Sequence, residues 1–257
     1  MKIITVAALK GGVGKTNFVF NLSTMLSLKN HKVLVVDLDP QGNLSKTFKL
    51  SKKEANSKKL FMQNIDLLNE KIIEKWEHEQ LSIDVIPTNI AMTTLEDELH
   101  TRTAREAILK RTFIKNINIL KQYDYIIFDT NPSINIINKN ALVIADEIIV
   151  ISDNSIYSLE AVNMLSNNWE LICQDLGIKN NINTIVLNNF DHYRISKDFA
   201  EYITNSKFKN KILKTQIKRK QKFKKSEITG IPSILLEKAE NHTYYHVYQE
   251  LIERGVL

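Results

Sequence analysis

Cysteine is nearly absent from this sequence, as are the segments that carry a chain into or across a membrane. The single Cys173 excludes an internal disulfide framework and any all-cysteine metal site formed by one chain. No apolar run approaches the roughly 20 residues that span a bilayer. The N-terminal stretch lacks the long apolar core and the cleavage site of a signal peptide. We therefore expect a cytoplasmic protein without stable membrane association.

Proline and glycine are also scarce, with 4 and 7 residues among 257. Hydrophobic residues make up 43% of the chain, which is enough to bury a substantial core. No long segment is so poor in apolar residues that it indicates a disordered tail. Because neither an internal repeat nor an interdomain linker is visible, we predict one domain over residues 1–257.

Positive charge is in excess, and the whole excess lies towards the C-terminus. Residues 1–175 hold 20 Lys and Arg against 21 Asp and Glu, whereas residues 176–257 hold 15 against 8. Residues 207–225 carry ten basic side chains and no acidic one. Such asymmetry favours a polyanionic partner for one face, which we place in about residues 190–230. The alternative is a solvated, lysine-rich surface.

Short β-branched runs alternate along the chain with longer segments of helical period. We predict strands at residues 3–7, 33–36, 83–86, 125–128, 148–151 and 184–187. Between the first two, apolar residues recur on one face of a helix: Phe18, Val19, Leu22, Met25 and Leu26. This alternation predicts an α/β fold with a mostly parallel, twisted sheet flanked by helices.

The stretch ALKGGVGKTN, residues 8–17, has the features of a phosphate-binding loop between a strand and a helix. Its three glycines let backbone amides close around phosphate oxygens, and the helix N-terminus adds a positive dipole end. Lys15 is placed to reach the terminal phosphates, and Thr16 to bind Mg²⁺. The loop also departs from the common pattern, because Leu9 replaces its first glycine and Lys10 adds a second cation.

The segment KGGVGKT resembles the deviant phosphate loop of the ParA/MinD superfamily, in which the first lysine is the signature residue. That resemblance implies a P-loop NTPase fold that binds ATP and Mg²⁺. It also implies a homodimer in which Lys10 reaches the phosphates held by the other subunit. Three later stretches, at residues 33–45, 85–99 and 123–133, resemble further segments of the family. Residues 215–232 resemble the late loop and helix of its ParA/Soj partition branch.

The resemblance implies which residues form the site. For the acidic residues that end predicted strands, their position also supports this role, since ligands bind at the carboxyl ends of parallel strands. Catalysis is expected to involve Lys10, Lys15 and Asp39, with Asp39 activating the attacking water. The expected magnesium residues are Thr16, Asp37, Asp39 and Asp129. The expected nucleotide-binding residues are Lys10, Gly11, Gly12, Val13, Gly14, Lys15, Thr16, Asn17, Asn188, Lys218 and Arg219. Asn131 replaces a proline of the family's switch sequence, which we expect to loosen that segment.

The resemblance further implies nonspecific DNA binding by the ATP dimer, partner-stimulated ATP hydrolysis and a nucleoid-associated location. The expected DNA contacts are Arg194, Arg219, Lys222, Lys224 and Lys225, and the expected partner is a ParB-like centromere-binding protein. An alternative is a MinD-like positioning ATPase that acts on a membrane or another cargo. An iron–sulfur carrier is disfavoured by the single cysteine, and a DNA-coating module without turnover stays open.

Overall fold

The computed structural model describes residues 1–50, 56–62, 64–188, 205–236 and 238–257. Within these residues, seven strands form one sheet in the order β3-β4-β2-β5-β1-β6-β7. They are β1 (Lys2–Ala7), β2 (Val33–Asp37), β3 (Glu74–His78), β4 (Leu81–Ile86), β5 (Tyr125–Asp129), β6 (Glu147–Ser152) and β7 (Ile182–Leu187). Every neighbouring pair is parallel except β3 and β4. The predicted α/β fold is therefore confirmed.

Helices cover both faces of the sheet. They are α1 (Lys15–Leu28), α2 (Asn43–Thr47), α3 (Asn56–Lys59), α4 (Leu95–His100), α5 (Ile108–Lys115), α6 (Ile117–Leu120), α7 (Ile136–Ile144), α8 (Ile156–Leu176), α9 (Gln221–Thr229) and α10 (Thr243–Glu253). Alternate strand residues face opposite sides, so Val33 and Val35 pack with α1, whereas Leu34 and Val36 pack in a second core with α4, α5 and α7. The predicted flanking helices are thus present.

The central strands are buried on both faces, which explains why they were predictable. All five residues of β2 and all five of β5 are buried, so their sequences are nearly continuous apolar runs. The edge strand β3 differs, because of its five residues only Trp76 is buried. Its charged sequence EKWEH gave no strand signal, and β3 was missing from the prediction.

The helix α10 uses its apolar face inside the protein. Tyr244, Val247 and Leu251 are fully buried in the core that also contains α1. The Tyr244 ring lies 5.9 Å from the ring of Phe18, centroid to centroid. Among the described residues, no helix has the length and apolar character that crossing a membrane requires.

The strand order brings four carboxyl ends together at one edge of the sheet. The chain leaves β1 there into the phosphate loop, and leaves β2, β5 and β6 there into the segments that follow them. In the strand register, Asp129 lies beside both Val6 and Asp37. This edge is the place where an open parallel sheet binds ligands.

Candidate nucleotide site

The phosphate loop joins β1 to α1 through a backbone that only glycine adopts easily. Gly12 and Gly14 have φ angles of 78° and 83°, in the left-handed region. Gly11 is different, because it lacks a positive φ and a Cβ built on it would meet no atom within 4 Å. The protein's own packing therefore does not require glycine at this position. The space beside Gly11 is open to a ligand.

Lys15 and Thr16 both contact Asp129 at the floor of the site. Lys15 Nζ lies 2.8 Å from Asp129 Oδ1, and the Thr16 hydroxyl donates to Asp129 Oδ2 over 2.7 Å. Asp129 is fully buried, and the Lys15 side chain is 8% exposed. A hydroxyl and a carboxylate that meet beside a lysine are the oxygen ligands that Mg²⁺ uses with phosphates. The residues present therefore fit a magnesium–nucleotide complex.

Asp37 lies beside Asp129 and holds the segment that follows β2. Its Oδ2 accepts hydrogen bonds from the Ser45 backbone N–H (2.9 Å) and hydroxyl (2.7 Å), and its Oδ1 accepts from the Asp39 N–H (3.1 Å). Burial, reinforced by the charge of Asp129, raises the pKa of Asp37 to about 7. In this structure Asp37 braces residues 38–45, and its place in the magnesium shell stays a prediction.

Asp39 lies at the wall of the cleft, with its Oδ1 accepting a hydrogen bond from the Gln41 N–H over 2.9 Å. Burial raises the pKa of Asp39, against the opposing hydrogen bond from Gln41 and the charge of Lys15. A carboxylate with a raised pKa is a stronger base. The position and the basicity of Asp39 both suit the activation of a water molecule.

Lys10 is paired within its own chain. Its Nζ lies 2.6 Å from Asp153 Oδ2 and 2.9 Å from Ser155 Oγ, at the end of β6 and the start of α8. Burial alone would raise the pKa of Asp153, but hydrogen bonds from Lys10, Ser158 and Ser155 outweigh it and lower the pKa. No partner for Lys10 within its own chain was predicted from the sequence, because Asp153 is 143 residues away along the chain.

The segment after Asp129 is held by hydrogen bonds from the side chains of Asn138 and Ser133. Asn138 Nδ2 lies 2.9 Å from the Asn131 carbonyl oxygen, 2.7 Å from Asn131 Oδ1 and 2.7 Å from the Ser133 carbonyl oxygen. The Ser133 hydroxyl also donates to Asn131 Oδ1 over 2.6 Å. These contacts restrain the segment at the position where the family's switch sequence has a proline, and the expected loosening stays a prediction.

A cleft of about 1560 Å³ opens in front of the phosphate loop. Its walls come from residues 10–17, from Asp39 and the segment after it, from residues 131–133, and from the basic segment 219–228. Arg219 and Lys224 are exposed residues that line the cleft, so basic side chains lie at its mouth. The candidate nucleotide site and the basic segment therefore share one cavity.

The helix α9 is attached to the phosphate loop by a buried polar network. Asn17 Nδ2 donates to the Phe223 carbonyl oxygen over 3.1 Å, and Asn17 Oδ1 lies 3.1 Å from Asn21 Nδ2 and 3.3 Å from the Tyr244 hydroxyl. The Ser233 hydroxyl donates to Asn21 Oδ1 over 2.8 Å. Asn17 was predicted as a nucleotide ligand. Although it lines the cleft, its side chain is bound to the protein.

The far end of α9 contacts the segment that follows Asp39. Lys49 Nζ donates to the Ile228 carbonyl oxygen over 2.9 Å. Gly230 ends the helix with a φ of 69°, and a Cβ built on it would lie 2.6 Å from the Thr47 carbonyl oxygen. Helix α9 is thus held between α1 and α2, the two helices that begin beside the candidate phosphate site.

The predicted base-binding and DNA-binding residues lie in different places. Asn188 donates to the Val13 carbonyl oxygen over 2.8 Å, so it supports the phosphate loop and does not line the cleft. Lys218 is exposed and also does not line the cleft. Lys225 is exposed, and Lys222 lies over the Phe223 ring, 5.5 Å from its centroid. Arg194 lies outside the described residues.

Comparison with known proteins decides the family. A family profile described as an AAA domain matches residues 1–184. The sporulation initiation inhibitor protein Soj of Bacillus subtilis is 31% identical over 244 residues, covering 92% of this chain and 91% of Soj. The chromosome partitioning protein ParA of Caulobacter vibrioides is 26% identical over 257 residues, covering 99% of this chain and 95% of that ParA. This chain belongs to the ParA/MinD family of partition ATPases.

A solved structure with the same fold shows how much of the chain this fold covers. A putative plasmid partition protein of Borrelia burgdorferi, crystallised with AMPPNP, superposes with a TM-score of 0.77 at 24% identity and covers 99% of this chain. The likeness covers 98% of that protein as well. The shared fold therefore extends beyond the 184 residues that the family profile matches.

Proposed function

We propose that this chain is an ATP-driven DNA partition ATPase. Two protomers close on two ATP molecules, and the closed dimer binds DNA without sequence preference on the nucleoid. A ParB-like centromere-binding partner then stimulates hydrolysis, after which the dimer opens and releases the DNA. The relatives Soj and ParA support partition as the process, and the AMPPNP-bound Borrelia protein supports an adenine nucleotide as the ligand.

The observation that carries the proposal is the hydrogen bond between Asn17 and the Phe223 carbonyl oxygen. Asn17 directly follows Thr16, and Phe223 lies in the first turn of the basic helix α9. The hydrogen bond therefore joins the start of α1, directly after the phosphate loop, to the helix that presents Lys224 and Lys225 to solvent. This contact supports a link between nucleotide state and affinity for a polyanion.

The nucleotide would be held by the loop at residues 11–16, with Lys15 on its terminal phosphates and Thr16 and Asp129 on Mg²⁺. When bound, Mg²⁺ supplies neutralisation of the phosphate charge. Asp39 accepts a proton from the attacking water while the water oxygen bonds to the γ-phosphorus. The bond between that phosphorus and the bridging oxygen breaks, ADP keeps the electron pair, and the products are ADP and phosphate.

Lys10 is the residue that we assign to the partner's nucleotide. For that contact it has to leave Asp153, and the charge of a second triphosphate would replace the carboxylate as its partner. Dimer formation brings two basic faces to one DNA molecule. Two weak sites that act together bind more tightly than either alone.

DNA affinity measured in three nucleotide states tests this function. A labelled duplex of arbitrary sequence is titrated in Mg-AMPPNP, in Mg-ADP and without nucleotide, at one fixed salt concentration. We expect at least about tenfold tighter binding in Mg-AMPPNP. Equal affinity in the three states would contradict a nucleotide-controlled DNA dimer, whereas loss of the difference in Lys10→Ala would support it.

The alternative of a MinD-like ATPase on a membrane has less support. It requires an apolar helix face that is free to enter a lipid surface. The apolar face of α10, formed by Tyr244, Val247 and Leu251, is fully buried against the rest of the protein. Flotation with anionic vesicles in Mg-AMPPNP distinguishes the two functions, because the DNA partition ATPase stays with the soluble fraction.

A further inference from the structure

The orientation of the Asn131 carboxamide can be deduced from the groups around it. Asn138 Nδ2 faces two backbone carbonyl oxygens, of Asn131 and Ser133, so it must be the donor side of Asn138. The Asn131 atom that faces this donor at 2.7 Å is therefore the acceptor Oδ1. The Ser133 hydroxyl donates to the same oxygen over 2.6 Å.

This arrangement directs the other side of the Asn131 carboxamide away from Asn138. Among the described residues, no acceptor for Asn131 Nδ2 is present, and Asn131 is only partly exposed. The residue lines the cleft together with the phosphate loop and Asp39. It lies two positions after Asp129, whose carboxylate contacts Lys15 and Thr16. A carboxamide that Asn138 and Ser133 fix through its oxygen thus belongs to a residue of the cleft wall.

We propose that Asn131 Nδ2 donates a hydrogen bond to an oxygen of the γ-phosphoryl group of ATP. The proposal rests on the proposed function, because it requires that the cleft binds ATP. Asn138 acts as the positioning residue, since it is 3% exposed and fixes the carboxamide from behind. A proline, which the family's switch sequence would have at this position, has no donor to offer. The chain would thereby distinguish ATP from ADP through a side chain.

Nucleotide affinities of Asn131 variants test the proposal. Binding of Mg-AMPPNP and of Mg-ADP is measured by calorimetry for wild type, Asn131→Ala and Asn131→Asp. We expect Asn131→Ala to lower the AMPPNP affinity about tenfold or more, the usual loss for a hydrogen bond to a charged group, and to leave the ADP affinity within about twofold. Asn131→Asp keeps the shape of the side chain and the acceptor for Asn138, but its negative charge repels the phosphate. We therefore expect a larger loss of AMPPNP affinity than in Asn131→Ala.

Controls separate this contact from a structural effect. Asn168→Ala removes an exposed asparagine of α8 that does not line the cleft. The ratio of AMPPNP affinity to ADP affinity in this variant should equal that of wild type. Asn138→Ala should lower the AMPPNP affinity as well, because the carboxamide of Asn131 loses its support. The proposal is overturned if the ratio of AMPPNP affinity to ADP affinity is unchanged in both Asn131 variants. This holds whether the two affinities keep their wild-type values or fall by the same factor.

The same experiment keeps the two proposals distinguishable. If wild type binds neither nucleotide, the proposed function fails. If wild type binds both nucleotides and the variants bind them in the same ratio, only the assignment of Asn131 fails. Thermal unfolding without nucleotide checks that Asn131→Ala folds, and the isosteric Asn131→Asp provides the answer if it does not.

Discussion

Lys10 Nζ and Asp153 Oδ2 lie 2.6 Å apart within one chain, with side chains that are 38% and 20% exposed. This ion pair holds the lysine that we assign to the nucleotide of a second protomer. Formation of the proposed dimer therefore requires that this contact breaks. The cost is small, because a partly exposed ion pair contributes roughly 0–1 kcal/mol.

Removal of the Asp153 charge should favour the ATP dimer. Asp153→Asn leaves Lys10 without its carboxylate partner in both protomers. We expect about a four- to 30-fold lower dimer dissociation constant, because each protomer contributes one such pair. Sedimentation in Mg-AMPPNP measures it. Lys10→Ala is the matched variant, and it should abolish the dimer while the monomer still binds nucleotide. A Lys10→Ala chain that dimerises normally would contradict the role of this lysine.

Asp39→Ala should stop hydrolysis and keep the nucleotide-bound dimer, because it removes the proposed base and leaves the phosphate loop intact. Phosphate release measures the turnover, and size-exclusion chromatography with ATP measures the dimer. In wild type, turnover should fall as the pH decreases through the raised pKa of Asp39, since the protonated carboxyl cannot accept a proton. Normal turnover in Asp39→Ala would exclude Asp39 as the base.

Two exposed lysines of α9 should contribute to DNA binding through phosphate charge alone. We expect the double change Lys224→Ala and Lys225→Ala to weaken binding for every sequence tested and to lower the salt slope by about 1 per lost phosphate contact. If wild type contacts about four phosphates, its affinity should fall ~10²-fold between 50 and 200 mM salt. Lys75→Ala, on the edge strand β3, is the control and should change neither value. An unaltered slope in the double variant would remove α9 from the DNA face.

Gly230→Ala should destabilise the junction between α9 and α2 by more than the backbone strain alone. Gly177 is the matched control, because its φ of 63° resembles the 69° of Gly230, while a Cβ there would meet no atom within 4 Å. We expect Gly177→Ala to cost about 1–2 kcal/mol of unfolding free energy. At Gly230 the added Cβ would lie 2.6 Å from the Thr47 carbonyl oxygen, so the cost should be larger. Urea unfolding measures the loss of unfolding free energy in both variants. Equal losses would mean that the backbone near Thr47 moves away from the added Cβ without cost, which would contradict the prediction.

The buried Asp37 should make the protein without magnesium or nucleotide less stable as the pH rises. Its pKa is about 7 in the folded chain, against an ordinary value of 3.8. Between these two pH values the folded chain therefore holds a proton on Asp37 that the unfolded chain has lost. Stability due to this group therefore falls between about pH 4 and pH 7, by up to about 1.4 kcal/mol per pH unit. Asp37→Asn should show a flatter dependence in that window when unfolding is followed at several pH values. An identical slope in both proteins would contradict the raised pKa.

Six of the seven strands in the described residues were predictable, and the reason for the exception is physical. The central strands are buried on both faces, so their residues are apolar almost without interruption. Strand β3 pairs with β4 at the edge and needs only Trp76 inside, so its other residues follow no apolar pattern. Burial, rather than strand formation itself, is what the sequence pattern reports.

The sequence by itself determined the phosphate loop, because seven neighbouring residues, a strand before them and a helix after them are all local features. Only the tertiary structure decided which side chains meet around that loop. Lys10 pairs with Asp153, Lys15 with Asp129 and Asn17 with the Phe223 carbonyl oxygen, across 143, 114 and 206 residues of chain. These contacts depend on the order in which the strands join the sheet. No pattern of neighbouring residues encodes that order, since it results from the packing of the whole core.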